Sequence, residues 1–296
     1  MKIGFAGLGV MGAPMAGHLQ RAGHAVTGFN RSPAKALAWA EGAGGQAAAT
    51  VAEAAAGAEL FILCVGNDED VRSVVGEALP HLAAAAVIVD HTTTSAAVAR
   101  EMAALAATSG RSFLDAPVSG GQAGAERGQL SVMVGGDAAA LETARPALEA
   151  YSKAIRHMGP AGAGQLTKMV NQIAIAGVVQ GLAEAVHFAQ QAGLDTDAVY
   201  EAVSQGAAQS WQMDNRWKTA AKGEFEFGFA VDWMRKDLGL VLDEARRNGS
   251  TLALTALVDQ FYAEVQAMGG SRWDTSSLTA RLQDRATRGS GRSGAL

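Results

Sequence analysis

The chain has one cysteine, Cys64, in 296 residues, so no internal disulfide can form. Its neighbours Leu60-Phe-Ile-Leu-Cys-Val65 make an apolar strand pattern, which places the thiol in a core, where cysteine is usually inert. Cations are in the minority. With 24 Lys and Arg against 29 Asp and Glu, the net charge is -5 and no basic stripe is present, which leaves nucleic-acid binding without an electrostatic footing. No uncharged run is long enough to span a bilayer, and Met1 leads straight into a strand pattern with no room for a signal peptide; a cytoplasmic protein with no membrane partner is expected. The six histidines, His18, His24, His81, His91, His157 and His187, show no ligand spacing with acidic residues or with Cys64, so no metal is expected. There is no internal repeat.

What is present is a globular composition, 49% apolar and 18% charged, in a chain long enough for two domains with a core each. Lys2 to Ala6 reads as a short apolar strand running directly into Gly7-Leu8-Gly9-Val10-Met11-Gly12, and a helix pattern follows through Met15 and Leu19 to Gly23. A lone G-x-G-x-x-G says little and can be a plain glycine-rich turn. Between a first strand and a helix it is the dinucleotide fingerprint in the context it requires. There Gly7 allows the tight turn, Gly9 lets a pyrophosphate approach the backbone, and Gly12 lets the helix sit close to the strand.

The next strand, Ala25 to Phe29, ends where an NAD enzyme normally offers a carboxylate to the adenosine ribose. This chain has Asn30-Arg31-Ser32 instead, a planar guanidinium and a hydroxyl suited to a 2'-phosphate. NADP(H) is therefore favoured over NAD(H), although Ser32-Pro33 can also cap the following helix. The alternation continues with a capping box at Thr50-Val-Ala-Glu53, a buried strand from Leu60 to Val65, a helix from about Glu69, a strand from Ala86 to Asp90, and a turn at His91 to Ser95 leading into a helix to Thr108. Ligands of open α/β sheets bind outside the carboxyl ends of the strands, which nominates Val65, Gly66, Asn67, Thr92 and Thr93 as cofactor contacts. After Gly110 come Ser112 to Gly121, a strand from Leu130 to Gly135, a helix from Asp137 to Ala150, and a last strand around Ala154 to Met158. Ser119-Gly120-Gly121 reads either as a glycine turn or as a nest of backbone N-H groups fit for a carboxylate. Repeated β-α units predict a doubly wound, mostly parallel sheet.

Gly162 onward is different in kind. Leu166, Met169, Val170, Ile173, Val178, Val179, Leu182 and Val186, with many alanines, cover most of a helical wheel through Gln191, which predicts a long helix packed on nearly all sides. One polar row, Gln165, Lys168, Asn171 and Gln172, lies on a single face of it. On this segment alone Lys168 is either a side chain lying along an exposed stripe or a buried group with a use. The rest reads as helices at about Asp197–Ser204, Ser210–Lys222, Val231–Arg247, Leu252–Met268 and Ser276–Leu282. Gly177 and Gly181 would admit a close neighbouring helix. Trp211 and Trp233 are expected as core anchors, and Asp214 and Arg216 as a solvated or ion-paired face. The domains expected are 1–161, a cofactor-binding domain; 162–283, a helical substrate and oligomerisation domain within a homodimer or homotetramer; and 284–296, a Gly/Ser/Arg-rich mobile tail.

Four blocks in order, Gly7-Leu-Gly-Val-Met-Gly-Ala-Pro-Met15, Asp115-Ala-Pro-Val-Ser-Gly-Gly121, Gly162-Ala-Gly-Gln-Leu-Thr-Lys-Met-Val-Asn171 and Lys236-Asp-Leu238, together resemble the β-hydroxyacid dehydrogenase family. The resemblance covers nearly the whole chain up to Leu282. It implies a Rossmann-like domain followed by an all-α domain built on the long central helix. It implies that Ser119, Gly120 and Gly121 form a substrate-binding loop, that Lys168 is the catalytic lysine, that Asn171 is a substrate-contacting amide, that Lys236 lies near nicotinamide and substrate, and that Thr93 contacts the cofactor. Two departures are Gln172, where many members have a second Asn, and Gly66-Asn67, where many have Pro-Asn.

The resemblance thus predicts hydride exchange between nicotinamide and a small carboxylate-bearing hydroxyacid or semialdehyde, such as 3-hydroxyisobutyrate or 2-hydroxy-3-oxopropionate. Lys168 would exchange the proton. Asn171 would hold lysine and hydroxyl in register, and Ser119 with the glycine N-H groups would bind the carboxylate. Asp237 is expected as a structural partner. Competing readings are a non-catalytic NADP(H)-binding metabolite sensor and an imine reductase; Lys168 and Asn171 speak against the first, Lys168 against the second.

Overall fold

The computed structural model describes the backbone of residues 1–290 and the side chains through residue 284. Its contacts divide into two compact units, Met1–Lys168 and Met169–Leu296.

In the first unit, β1 (Lys2–Ala6), α1 (Gly12–Arg21), β2 (Ala25–Phe29), α2 (Pro33–Ala43), β3 (Gln46–Ala48), α3 (Val51–Ala55), β4 (Leu60–Leu63), α4 (Asp68–Ala78), β5 (Val87–Asp90), α5 (Ala96–Ala107) and β6 (Ser112–Asp115) alternate strand and helix. Then follow β7 (Val118–Ser119), α6 (Gly121–Glu126), β8 (Leu130–Gly135), α7 (Ala138–Leu148) and β9 (Ser152–Gly159). The sheet order is β3-β2-β1-β4-β5-β6-β8-β7, with β9 beside β8. The first six strands in that order are parallel, β8 is antiparallel to β6 and β7, and β9 is parallel to β8.

The sheet is buried on both faces, as continuous apolar strands require. In β4, Leu60 and Ile62 join one core with Ile3, Phe5, Val87 and Val89, while Phe61 and Leu63 join the other with Val71, Ile88 and Phe113. That period of two is what the pleat dictates. The sequence reading missed β3 and β7, three and two residues long, because strands so short carry no periodicity. Cys64 lies just past the end of β4 and is only half-buried, packed against the first core. The Thr50 cap forms as expected, its hydroxyl accepting from the Glu53 N-H at 3.1 Å while the Glu53 carboxylate accepts from the Ala49 N-H at 2.7 Å.

α8 (Ala163–Gln191) starts in the first unit and continues into the second, where α9 (Thr196–Val203), α10 (Trp211–Lys222), α11 (Val231–Asn248), α12 (Ala253–Ala267) and α13 (Leu278–Ser290) follow. By length and composition alone α8 could cross a membrane; here its Ala176, Val179 and Ala183 pack with Val231, Met234 and Leu238 of α11 and with Val258, Tyr262 and Val265 of α12.

Several expectations need correcting. α8 is not covered all round: Val170 is 66% exposed and Phe188 71%. Leu254 of α12 reaches within 3.3 Å of where a Gly177 Cβ would stand, but nothing approaches Gly181. Trp211 and Trp233 are half-exposed, not core anchors; the buried tryptophan of this unit is Trp217. Trp211 instead lies under the Arg216 guanidinium, 5.1 Å away, and Trp233 under the Lys236 ammonium at 5.8 Å, a use of the ring face that needs no burial. For Arg216 the ion-paired one of the two expected readings holds: it binds the buried Asp274 carboxylate at 2.9 Å. The last helix runs on to Ser290; the remainder of the expected tail, 291–296, lies outside the described residues.

Candidate active site

The glycine loop has the shape its sequence predicts, for reasons visible one residue at a time. Gly7 has φ +98°, and a Cβ there would collide with the Cys64 carbonyl; a Cβ on Gly12 would collide with the Gly7 carbonyl. Beyond its chain neighbours, nothing lies within 4 Å of where a Gly9 Cβ would stand. Two glycines are thus demanded by the fold itself and the middle one keeps a face open, as a pyrophosphate at the start of α1 needs. Val10 is exposed beside it and Met11 occupies the N-cap of α1 with no side-chain cap bond.

Asn30, read as a cofactor contact, holds the loop. Its Oδ1 accepts from the Leu8 N-H at 3.0 Å and its Nδ2 donates to the Ser32 carbonyl at 3.2 Å. Ser32 occupies the N-cap of α2 without a side-chain cap bond. Arg31 is exposed and meets a carboxylate absent from the local sequence: Asp70 of α4, at 3.2 Å. The absence of an acid beside Arg31, inferred from Asn30-Arg31-Ser32 alone, therefore does not hold in space. The chain order conceals this, because β2 and β4 both flank β1 and their loops converge. Asn67 caps α4, its Oδ1 accepting from the Asp70 N-H at 2.9 Å, and Asp70 returns by accepting from the Gly66 N-H at 3.1 Å. The spacing Asn67-Asp-Glu-Asp70 carries the signal for this reciprocal cap. The Val65 N-H donates to the Thr92 hydroxyl at 3.0 Å, joining the loops after β4 and β5, and Thr93 is half-buried in the same turn.

The first turn of α8 is anchored to that turn from both sides. Asp115, at the end of β6, accepts from the backbone N-H of Gly162 at 2.8 Å and of Gln165 at 2.9 Å, capping the helix from outside it. Burial pushes its carboxyl up, against the pull of those two N-H groups. Gln165, fully buried, accepts from the Thr94 N-H at 3.0 Å and donates to the Thr92 carbonyl at 2.7 Å. One turn further on stands Lys168, 8% exposed. That burial removes the reading of a lysine along an exposed stripe.

In the second unit a row of polar side chains joins two of the candidate residues. Asn171 Nδ2 donates to Gln172 Oε1 at 2.8 Å, Gln172 Nε2 donates to Asp237 Oδ2 at 2.7 Å, and Asp237 Oδ1 lies 3.3 Å from the Lys236 ammonium. Gln172 and Asp237 are each 2% exposed. The direction of this row is set by chemistry. A carboxylate beside a lysine can only accept, so Gln172 must turn its N-H2 to it and its oxygen to Asn171. Asn171 must then use its own N-H2, which leaves Oδ1 as the acceptor it offers elsewhere. The sequence singled out all four residues but carried no sign of the connection.

Ser119 closes β7, and Gly120 and Gly121 follow at φ +131° and +61°, exposed, at the start of the short α6. Two consecutive positive φ angles explain why glycine stands at both. Among the described residues no three His, Cys, Asp or Glu side chains gather as a metal site.

Comparison with known proteins adds the following. Residues 2–159 match the NAD binding domain of 6-phosphogluconate dehydrogenase, and residues 162–282 the NAD-binding region of NADP-dependent 3-hydroxyisobutyrate dehydrogenase. An uncharacterized oxidoreductase of Shewanella frigidimarina is 62% identical over 285 residues, which is 95% of this chain and 98% of that protein. The structure of Mycobacterium tuberculosis 3-hydroxyisobutyrate dehydrogenase with L-serine is 36% identical, with a TM-score of 0.86 covering 95% of this chain and 98% of that one. A structure described as Psf3 in complex with NADP+ and 2-OPP is 25% identical, also with a TM-score of 0.86, covering 95% and 99%.

Proposed function

The chain belongs to the β-hydroxyacid dehydrogenase family, and from that premise we propose that it is an NADP(H)-preferring oxidoreductase. In this reading it interconverts a small carboxylate-bearing hydroxyacid and its semialdehyde, such as 3-hydroxyisobutyrate or 2-hydroxy-3-oxopropionate, with Lys168 as the general acid and base. The observation that carries the proposal is the placement of Lys168: a buried lysine on a helix turn anchored through Asp115 to the end of β6 and through Gln165 to the loop at the carboxyl end of β5. In open α/β sheets that end is where ligands bind.

The residues fit a dinucleotide at the Gly7–Gly12 loop, where Gly9 is open and α1 begins. Those residues would hold a nicotinamide dinucleotide, which would supply the hydride-transfer chemistry. The protein's part is proton transfer and orientation. Reduction of a carbonyl leaves an oxygen that needs a proton, which the Lys168 ammonium gives; oxidation takes the hydroxyl proton back to the neutral amine. Asn171 offers its Oδ1 to a hydroxyl proton, Lys236 is the cation at the opposite end of the row, and the backbone N-H groups of Gly120 and Gly121 with the Ser119 hydroxyl hold the carboxylate. Arg31 would hold the 2'-phosphate, and a solved relative in complex with NADP+ supports that choice. A homodimer or homotetramer in the cytoplasm completes the proposal; exposed Val170, Phe188, Leu254 and Leu257 support association.

The test is initial rate with NADPH and NADH against tartronate, methylmalonate and succinic semialdehydes, glyoxylate and a cyclic imine, for wild type and Lys168→Ala. Turnover of a semialdehyde that falls at least about a thousandfold in Lys168→Ala, with NADPH affinity retained, is expected. Equal turnover by the variant refutes the general-acid role, and turnover of the imine alone refutes the substrate class.

A further inference from the structure

We propose that Asp70 sets the coenzyme choice of this protein by competing with the 2'-phosphate for Arg31. The inference rests on the reading of Gly7–Gly12 as the NADP(H) loop and of Arg31 as the 2'-phosphate ligand.

The two partners differ in freedom. Asp70 is held in the first turn of α4: its N-H donates to Asn67 Oδ1 at 2.9 Å and its Oδ2 accepts from the Gly66 N-H at 3.1 Å, with its side chain 24% exposed. Arg31 is 84% exposed, and the structure gives its guanidinium the Asp70 Oδ1 at 3.2 Å. The strands that lead to these residues, β2 and β4, flank β1, so the pair spans the mouth of the glycine loop. Three acids crowd the start of α4, but their commitments differ. Asp68 accepts from the Ser95 N-H at 3.0 Å and hydroxyl at 2.5 Å, and Glu69 from Arg72 at 2.7 Å. Asp70 is the one turned toward the end of β2.

A 2'-phosphate has to draw the guanidinium from this carboxylate and then sit near a charge of its own sign that the helix cap does not let retreat. A 2'-hydroxyl meets the opposite situation, since a fixed carboxylate is an acceptor for it. Asp70 thus acts in NADP(H) binding as a brake and in NAD(H) binding as a partner. It is the acid that an NAD site would carry at the end of β2, delivered here from α4.

Dissociation constants of NADPH and NADH, read from nicotinamide fluorescence, test this without any substrate. Asp70→Asn keeps an amide oxygen for the Gly66 N-H and removes the charge. It is expected to tighten NADPH about two- to fivefold, the scale of one screened charge, to leave NADH unchanged or weaker, and to lose most of the NADPH gain when Arg31→Ala is added. Asp70→Ser, which also keeps an acceptor at this turn, should act in the same direction and serves if the asparagine variant does not fold. An unchanged NADPH/NADH ratio in these variants, with a ratio that does respond to Arg31→Ala, overturns the role of Asp70 and leaves the coenzyme reading standing. A ratio indifferent to Arg31→Ala overturns both.

Discussion

Below pH 6.5 the protein should lose stability chiefly through one fully buried imidazole, His91; His24, lowered first by partial burial and then by the nearby N-terminal ammonium, acts in the same sense and is common to wild type and the His91→Gln variant. His91 follows β5 and is 2% exposed. Its Nδ1 lies 2.6 Å from the Ala116 carbonyl and its Nε2 2.8 Å from the Tyr151 hydroxyl. A carbonyl can only accept, so Nδ1 carries the proton and Nε2 accepts from the tyrosine. Burial lowers the imidazole from 6.5 to about 4, against a smaller raising effect of the Ala116 bond. The unfolded chain therefore takes up a proton near pH 6.5 that the folded one refuses until about pH 4. Stability is fully present above 6.5 and falls as pH drops through that window, by about 3 kcal/mol in all. Asp115 acts in the opposite sense: its raised carboxyl takes a proton in the folded state before it does so unfolded, which returns some stability as pH falls. Urea unfolding of wild type and His91→Gln between pH 7.5 and 4 separates the two, since both proteins share Asp115. The glutamine variant should be less stable at pH 7 by about 1–3 kcal/mol, the price of buried groups left poorly paired. Relative to wild type it should then gain about 3 kcal/mol on the way to pH 4, so that the deficit closes or changes sign. A deficit that stays constant with pH refutes the argument.

Two further outcomes are expected. Gly9→Ala should fold with a melting temperature within a few degrees of wild type and bind NADPH at least about tenfold more weakly, whereas Gly12→Ala, whose Cβ collides with the Gly7 carbonyl, should lose about 1–3 kcal/mol of stability; thermal melts and coenzyme titration compare them, and equal stability of the two would contradict the close approach of α1. Gln172→Leu should lower kcat by about tenfold to a hundredfold with KM for coenzyme unchanged, and Gln172→Asn should recover part of it if the hydrogen-bonded row positions Asn171; a loss confined to thermal stability would show the row to be structural only.

Much of the first unit was legible because β-α alternation and the glycine spacing are local signals. The strand from Leu60, the cap at Thr50, and the need for glycine at Gly7 and Gly12 each depend on residues a few positions apart. What escaped was brought together by topology. Asp70 lies 39 residues from Arg31, and Asp237 65 from Gln172, and no pattern within either segment announces its partner. Trp211 and Trp233 misled for another reason. Size predicts burial on average, but a cation lying on the ring face gives an exposed indole a place as well.

The amide row from Asp237 to Asn171 conveys a sign without conveying a charge. Each amide takes an acceptor on one side and presents an acceptor on the other, so the far end repeats what the carboxylate is at the near end. A carboxylate placed at Asn171 would also accept a hydroxyl proton, but it would favour the charged form of any lysine close to it. The amide oxygen orients a donor while the negative charge stays two residues back, beside Lys236. The row can also be reversed. In Asp237→Asn, an oxygen kept toward Lys236 would leave an N-H2 toward Gln172, both amides would turn over, and Asn171 would offer a donor where it had offered an acceptor.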